Sequence, residues 1–374
     1  MTHIHWLGAG LSSIPGIRRL ASKKNSITVW NRTLEKAEKS INHVNLETAK
    51  AKKLDFALLE KEVQEGDIIV SQLSANMHSE VAKLCLKKNT HFATTSYLSN
   101  EIKNLNNEAK SKGLVFINEI GLDPGIDHFF THLLVNDLNN QNLSNINVSY
   151  KSYCGGVPAE ANDFKYKFSW SPVGVIKALN NTAIFVQDFN EKKISRPYEN
   201  ISNYEIFNEM FEAYPNRNSI PYIKEYLFPE SWKIKEFVRG TLRLNGWSNA
   251  WNEIFLMLNT SSNNLEKKIV EKGNELWAKY KYQQNEKDRV VLWVNLEAEK
   301  EGKIIWSGTY HLDEKGSGEN TAMAKLVSIT LSSVLDLMIE NRLKPGVQAA
   351  PHSKDIINYI FKVLSDYSIK INHQ

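Results

Sequence analysis

The chain has 374 residues, enough at roughly 100–200 per domain for two domains and a small extra lobe. Hydrophobic residues make up 42% and charged residues 24%, which excludes disordered and collagen-like classes. A net charge of +4 with Lys and Arg scattered among acids leaves no nucleic-acid footprint, and two cysteines cannot build a disulfide framework. Apolar runs are short, Val290–Val294 being among the longest, so no membrane span is expected. Met1–Leu7 lacks the basic region of a signal peptide. The expectation is a soluble, cytoplasmic, globular protein with no metal, nucleic acid or membrane partner.

The first third alternates strand and helix signals. His3–Leu7 is a short apolar strand that runs into Gly8-Ala9-Gly10-Leu11-Ser12-Ser13-Ile14-Pro15-Gly16, with helical spacing through Leu20. Ser26–Trp30 reads as a second strand, followed by Asn31-Arg32-Thr33 and a helix from Leu34 to about Asn42. Asp67–Gln72, His91–Thr94 and Val115–Asn118 are further strands, with helical periodicity over Met77–Lys88 and Asn100–Ser111. Short strands separated by helices of this length predict an α/β fold with a doubly wound parallel sheet. From about residue 145 the pattern turns mixed α/β, with strands over Asn147–Tyr153 and Thr182–Asp188. Arg289–Leu296 and Lys303–Leu312 flank the polar turn Glu297–Gly302 and read as an antiparallel hairpin. Thr321–Asn341 and Lys354–Leu364 are amphipathic helices. The domains expected are 1–125, a nucleotide-binding Rossmann domain; 126–320, an α/β substrate domain; and 321–374, a small C-terminal helical segment packing back on the others.

A strand entering Gly8-x-Gly10 and leaving into a helix lets the backbone approach a pyrophosphate at the helix N-terminus. The third glycine of the fingerprint is missing, and Ser13 stands in its place. At the end of the second strand an NAD enzyme carries Asp or Glu for the ribose 2′-hydroxyl. Here Asn31-Arg32-Thr33 offers a guanidinium for a 2′-phosphate instead, favouring NADP(H); a solvated arginine is the alternative. Asn118–His128 (NEIGLDPGIDH) follows the last strand, where a turn faces a cofactor. Asp123 there is either functional or an N-cap ahead of Pro124. Ile126, Phe129, Phe130, Leu133, Leu134 and Leu138 form the buried stripe of the next helix, which leaves His128 and His132 on a polar face without a third metal ligand. In the second domain, Arg217 and the pair Arg239 and Arg243 sit in turn-rich or strand-edge segments suited to bidentate carboxylate binding or to surface salt bridges. The aromatics crowding residues 151–255 read as core and pocket lining, and Cys154 as a reactive thiol or a small buried hydrophobe.

NEIGLDPGIDH resembles the signature of the saccharopine dehydrogenase family, specifically its NADP-dependent, L-glutamate-forming saccharopine reductases. Thr95-Ser96-Tyr97, YCGG (Tyr153–Gly156), YKFSWSPVGV (Tyr166–Val175), YPNR (Tyr214–Arg217), RGTLR (Arg239–Arg243) and TAMA (Thr321–Ala324) resemble it in the same order. The resemblance spans nearly the whole chain. It implies a Rossmann domain, a saccharopine-binding domain and a reversible reaction of lysine metabolism: saccharopine, NADP+ and water give L-glutamate, α-aminoadipate semialdehyde and NADPH. It implies NADP(H) contacts at Gly8, Gly10, Leu11, Ser12, Asn31, Arg32, Thr33, Asp55, Leu73, Leu122, Pro124, Gly125, Asp127 and Ser171. Substrate contacts are implied at Ser96, Tyr97, Asp123, Arg217, Thr241, Leu242 and Arg243, and a homodimer is a further implication. Three departures stand out: Ser74 where the family has proline, Trp30-Asn31 before Arg32, and the unmatched aromatic loop Tyr198–Phe211.

The chemistry needs carboxylate clamps, for which Arg217 and Arg243 are the choice, and an acid/base group among Asp123, Tyr97 and Cys154. Asp123 is expected to orient the substrate amine while Tyr97 or a water relays protons. Rival readings are a dehydrogenase of another carboxyalkyl amine such as carboxy(nor)spermidine, a catalytically inactive NADPH-binding regulator, and a structural scaffold.

Overall fold

The computed structural model describes residues 2–23, 25–42, 44, 47–260 and 264–374. It divides into two units: residues 1–129 with 324–369, and residues 130–323 with 370–374.

In the first unit, β1 (Ile4–Leu7), β2 (Ile27–Asn31), β3 (Ala49–Lys53), β4 (Ile68–Ser71), β5 (His91–Ala93) and β6 (Val115–Ile117) form a wholly parallel sheet. A seventh strand, Gly346–Gln348, comes from far down the chain and pairs with β6. The spatial order is Gly346–Gln348, β6, β5, β4, β1, β2, β3, which places the topological switch point between β1 and β4. The helices between strands are α1 (Ile14–Ser22), α2 (Leu34–Ser40), α3 (Phe56–Glu62), α4 (His78–Lys88), and the short pair α5 (Asn100–Lys103) and α6 (Asn106–Ser111). Ile4, Ile27, Val29 and Ile68–Val70 are completely buried, as strands covered on both faces must be.

Several sequence expectations need correction. The edge strand β3 and the helix α3 escaped prediction, because Ala49-Lys50-Ala51-Lys52-Lys53 is a lysine-rich, half-exposed strand with no apolar run. Asn100–Ser111 is two helices broken at Asn104-Leu105, and α4 is preceded by a 3₁₀ turn, Ala75–Met77. Among the described residues one helix, Ala322–Ile339, is long and apolar enough by composition to cross a membrane, contrary to the reading of short apolar runs. It is a buried helix: α1 docks on it, with Gly16 N donating to Ser328 Oγ at 2.8 Å and Arg19 paired with Asp336.

α7 (Ile126–Asn139) contains the boundary between the units, after Phe129. Its apolar stripe is buried as expected, yet His128 and His132 are buried too, at 2% and 8% exposure, not on a solvated face.

The second unit holds a mixed nine-stranded sheet: β7 (Asn147–Pro158), β8 (Ala183–Gln187), β9 (Asn190–Ile194), β10 (Ser202–Ile206), β11 (Glu209–Pro215), β12 (Lys233–Leu244), β13 (Lys287–Lys300), β14 (Lys303–Ser317) and the two-residue strand Asn372–His373. β7 and β12 run parallel, and the other pairings are antiparallel. The β13–β14 turn is only Glu301-Gly302, so Glu297–Lys300, expected in the turn, continues the strand. The unmatched loop Tyr198–Phe211 contains the β10–β11 hairpin, turned at Phe207-Asn208 with φ of 57° and 59°. Helices Pro172–Leu179, Trp247–Ala250, Asn252–Asn259 and Leu265–Tyr280 enclose an aromatic core of Phe164, Tyr166, Phe168, Tyr198, Tyr214, Trp247 and Trp251.

Candidate active site

The glycine loop leaves β1 at the switch point. Gly8 has φ of +101°, and a Cβ there would lie 2.6 Å from the Gln72 carbonyl oxygen, so only glycine fits. Gly10 borders open space in which any side chain would fill the approach to the first turn of α1. Ser13, in the third-glycine position, is buried and ties the loop back by donating from Oγ to Gly8 O at 3.1 Å. Close helix packing falls instead to Gly16, where a Cβ would stand 2.2 Å from Ser328 O. Leu11 is exposed and Ser12 half-buried beside this cradle.

Asn31 Oδ1 accepts from Ala9 N at 3.1 Å, and its amide donates to Thr33 O at 2.9 Å, joining the loop to the end of β2. Arg32 and Thr33 are exposed there. Lys53 of the unpredicted β3 pairs in register with Asn31, adding an exposed second cation beside Arg32. Asp55 is exposed and caps α3 by accepting from Leu58 N at 3.0 Å. The open cradle at a helix N-terminus and the cationic end of β2, where Asn31-Arg32-Thr33 carries no carboxylate, fit a pyrophosphate and a 2′-phosphate.

The ends of β4, β5 and β6 carry the remaining first-unit candidates. Buried His78 spans two serines, with Nδ1 2.8 Å from Ser71 Oγ and Nε2 2.7 Å from Ser96 Oγ. Burial lowers its pKa to about 4, so the ring is neutral and its tautomer fixes both hydroxyls. Tyr97 donates to Asp123 Oδ1 at 3.0 Å, which brings two of the three acid/base candidates together. Asp123 does not cap α7. The helix starts at Ile126, and the Asp123-Pro124 peptide, which is cis, lies in a tight loop closed by Gly121 N donating to Pro124 O at 2.9 Å. Asp127 is completely buried and accepts from Gly125 N at 2.7 Å, while Leu122 and Pro124 are buried in the same loop. Leu73 is half-buried against the first unit's core, with the departure Ser74 next to it opening the turn Ala75–Met77.

In the second unit, strand alternation puts Arg239, Thr241 and Arg243 of β12 on one face, with Cys154 of β7 opposite Thr241 and Glu212 of β11 opposite Arg243. Leu242 points the other way into a separate core cluster, so its side chain does not join Thr241 and Arg243. Arg243 is only 7% exposed. Its guanidinium lies 5.0, 5.5 and 5.4 Å from the ring centroids of Tyr166, Tyr214 and Trp247. It donates to Tyr214 Oη at 2.9 Å and Leu242 O at 3.0 Å, while Nε finds no acceptor. Glu212 does not neutralise it: both carboxylate oxygens accept backbone N–H groups, from Gly246 and Ser248, at 2.7 Å each. Arg243 is thus a buried cation held among aromatic rings, with no carboxylate of the described residues paired to it. Burial raises the Tyr166 phenol's pKa and Arg243 pulls the other way.

Arg239 is buried and stacks 4.2 Å from the Tyr222 ring. Arg217 is exposed and sits at φ +59°, its carbonyl accepting from Ile184 N at 2.8 Å. Cys154 is buried beside Thr241. Ser171 is exposed and caps the helix Pro172–Leu179 by accepting from Gly174 N. The aromatic box around Arg243, the His78 bridge and the capping role of Glu212 were not singled out from the sequence. An acid inside the apolar strand Phe211–Tyr214 was the one available hint.

Comparison with known proteins matches residues 4–117 to the saccharopine dehydrogenase NADP binding domain and residues 121–369 to the saccharopine dehydrogenase C-terminal domain. A saccharopine dehydrogenase [NADP(+), L-glutamate-forming] of Pyricularia oryzae is 29% identical, over 96% of each chain. That of Schizosaccharomyces pombe is 37% identical over 66% of this chain and 56% of its own. Among solved structures, the apo saccharopine dehydrogenase (L-Glu forming) of Saccharomyces cerevisiae superposes with a TM-score of 0.83 at 25% identity, covering 100% of this chain and 99% of that one. A homospermidine synthase of Legionella pneumophila shares the fold alone, with a TM-score of 0.67 at 11% identity. The two family models divide the sequence between them in the order in which the nucleotide loop and the aromatic-boxed arginine occur, and the chain belongs to the saccharopine dehydrogenase family.

Proposed function

We propose that this chain catalyses the reversible, NADP-dependent conversion of saccharopine and water to L-glutamate and α-aminoadipate semialdehyde. The observation that carries the reading is Arg243. A guanidinium removed from water without a carboxylate is costly, and a substrate carboxylate is the partner that relieves it. End-to-end similarity to the Pyricularia oryzae and Saccharomyces cerevisiae enzymes supports the specific substrate.

Gly8, Gly10, Leu11 and Ser12 would cradle the cofactor's pyrophosphate, and Asn31, Arg32 and Thr33, with Lys53, its adenosine phosphate. Asp55, Leu73, Leu122, Pro124, Gly125, Asp127 and Ser171 are proposed along the rest of the cofactor. Bound NADP+ supplies a hydride acceptor for the carbon bearing the secondary amine. The protein's own work is positioning and proton transfer. Arg243, Arg217 and Thr241 hold carboxylates, and Leu242 takes part through its backbone. Ser96, oriented by His78, contacts substrate. The Tyr97–Asp123 pair takes up and returns the proton of the amine nitrogen: the hydroxyl faces the substrate while Asp123 accepts its hydrogen bond. Cys154 remains the alternative acid/base group, on the face that carries Thr241.

The test is reduction of NADP+ by purified protein with saccharopine, beside carboxyspermidine. Turnover with saccharopine and loss of saturation in Arg243→Ala support the reading. Turnover with carboxyspermidine alone would move the substrate to another carboxyalkyl amine.

A further inference from the structure

Tyr97 and Asp123 stand on different loops, after β5 and after β6, and their contact depends on how those loops are held. One residue grips both sides of Tyr97. Glu119 N donates to Ser96 O at 3.1 Å, and Glu119 Oε1 accepts from Leu98 N at 2.8 Å. Glu119 adopts φ +59°, a conformation uncommon for a residue with a Cβ and kept only where the surroundings enforce it. Its other oxygen lies 2.9 Å from His128 Nε2, on the first turn of α7. His128 Nδ1 in turn lies 3.6 Å from Asp127 Oδ2, whose Oδ1 accepts from Gly125 N. The loop Glu119–Gly125, which bears Asp123, is therefore anchored at one end through Glu119 and at the other through Asp127, with His128 between them. Glu119 is 4% exposed, with Oε1 bonded to Leu98 N and Oε2 close to the His128 ring, so it acts through the pair it holds.

We infer that Glu119 is a positioning residue for the Tyr97–Asp123 pair, setting the separation of the two loops that carry it. The inference rests on the proposed role of that pair.

The test compares Glu119→Ala, Glu119→Gln, Tyr97→Phe, Asp123→Asn and the double variant Glu119→Ala/Tyr97→Phe in the full chain. Readouts are kcat, the saccharopine KM, NADPH affinity by fluorescence, and Tm. Glu119→Ala is expected to lower kcat roughly 30–100-fold, as a displacement of about 1 Å would. The saccharopine KM and NADPH Kd should change several-fold less than kcat, since Glu119 itself binds neither ligand in this reading and acts only through the loops it holds. Glu119→Gln keeps an oxygen for Leu98 N and should recover at least part of the loss, which also covers the case of an unfolded alanine variant. Adding Tyr97→Phe to Glu119→Ala should cost under about threefold more, because both changes disable one pair. Multiplicative losses in the double variant would overturn the proposal, as would a lowered Tm with unchanged kcat. If Tyr97→Phe and Asp123→Asn keep full kcat, the reading of the pair itself fails. If they lose it while both Glu119 variants keep it, only the positioning role fails.

Discussion

Arg243 is a buried cation to which the proposed function gives a substrate carboxylate as partner. Tyr166, Tyr214 and Trp247 exclude water around it, and the acid in register, Glu212, is turned away to the backbone of the Trp247 helix. Arg243→Ala is therefore expected to raise the saccharopine KM by the loss of about 2–4 kcal/mol of carboxylate binding while leaving the NADPH Kd unchanged. Steady-state kinetics and fluorescence titration check both halves of that statement. Arg32→Ala should weaken NADPH binding about tenfold or more with little effect on NADH, because only NADPH carries the 2′-phosphate that a guanidinium would pair with. His78 gives a pH prediction. Burial lowers its pKa from 6.5 to about 4, so between those values the unfolded chain binds the proton more readily than the folded one. Stability is full above about pH 6.5 and falls as pH drops toward 4, by on the order of 2–3 kcal/mol from this residue. Denaturation midpoints measured from pH 7.5 to 4.5 should show that slope, and His78→Asn should flatten it. The motifs singled out Arg217, Asp123, Tyr97 and Arg243 as candidates in the sequence. The solitude of Arg243 was not, because it depends on where Glu212 points, 31 positions away in the chain.

Helix α1 has two duties, and Gly16 joins them. Its N-terminus borders the glycine loop proposed to cradle the cofactor, and its middle approaches helix Ala322–Ile339 so closely that a Cβ on Gly16 would collide with Ser328 O. Gly16→Ala should destabilise the chain by roughly 1–3 kcal/mol and weaken NADPH binding, since relieving the clash moves the cradle. A melt with and without NADPH separates the two effects. The parallel sheet was readable because short apolar strands at βαβ spacing leave few alternatives. Strand β3 was not, since it is a lysine-rich strand at a sheet edge and its periodicity carries no burial signal. The β10–β11 hairpin was hidden by a turn, Phe207-Asn208, that lacks the glycine usually sought there. His128 and His132 were misjudged because one apolar stripe was taken as the only buried face, whereas α7 is enclosed nearly all round.

The chain leaves its first unit at Phe129 and comes back to it at Ala324, delivering the helix that supports α1 and the edge strand Gly346–Gln348. A fragment stopping at Phe129 would lose the partners of Gly16 and Arg19 and leave the edge of β6 unpaired. It should neither melt cooperatively nor bind NADPH, as circular dichroism and fluorescence can establish. The membrane-like composition of Ala322–Ile339 has the same origin, a helix buried within the protein. Similarity over the whole length, a glycine loop opening α1 beside a cationic strand end, and a boxed arginine all fit one proposed reaction. The decisive measurement is the absorbance of NADPH on mixing the protein with saccharopine and either NADP+ or NAD+. Rapid NADP+ reduction with release of glutamate, and little with NAD+, is the expected result. Tight NADPH binding with no reduction by saccharopine would contradict it.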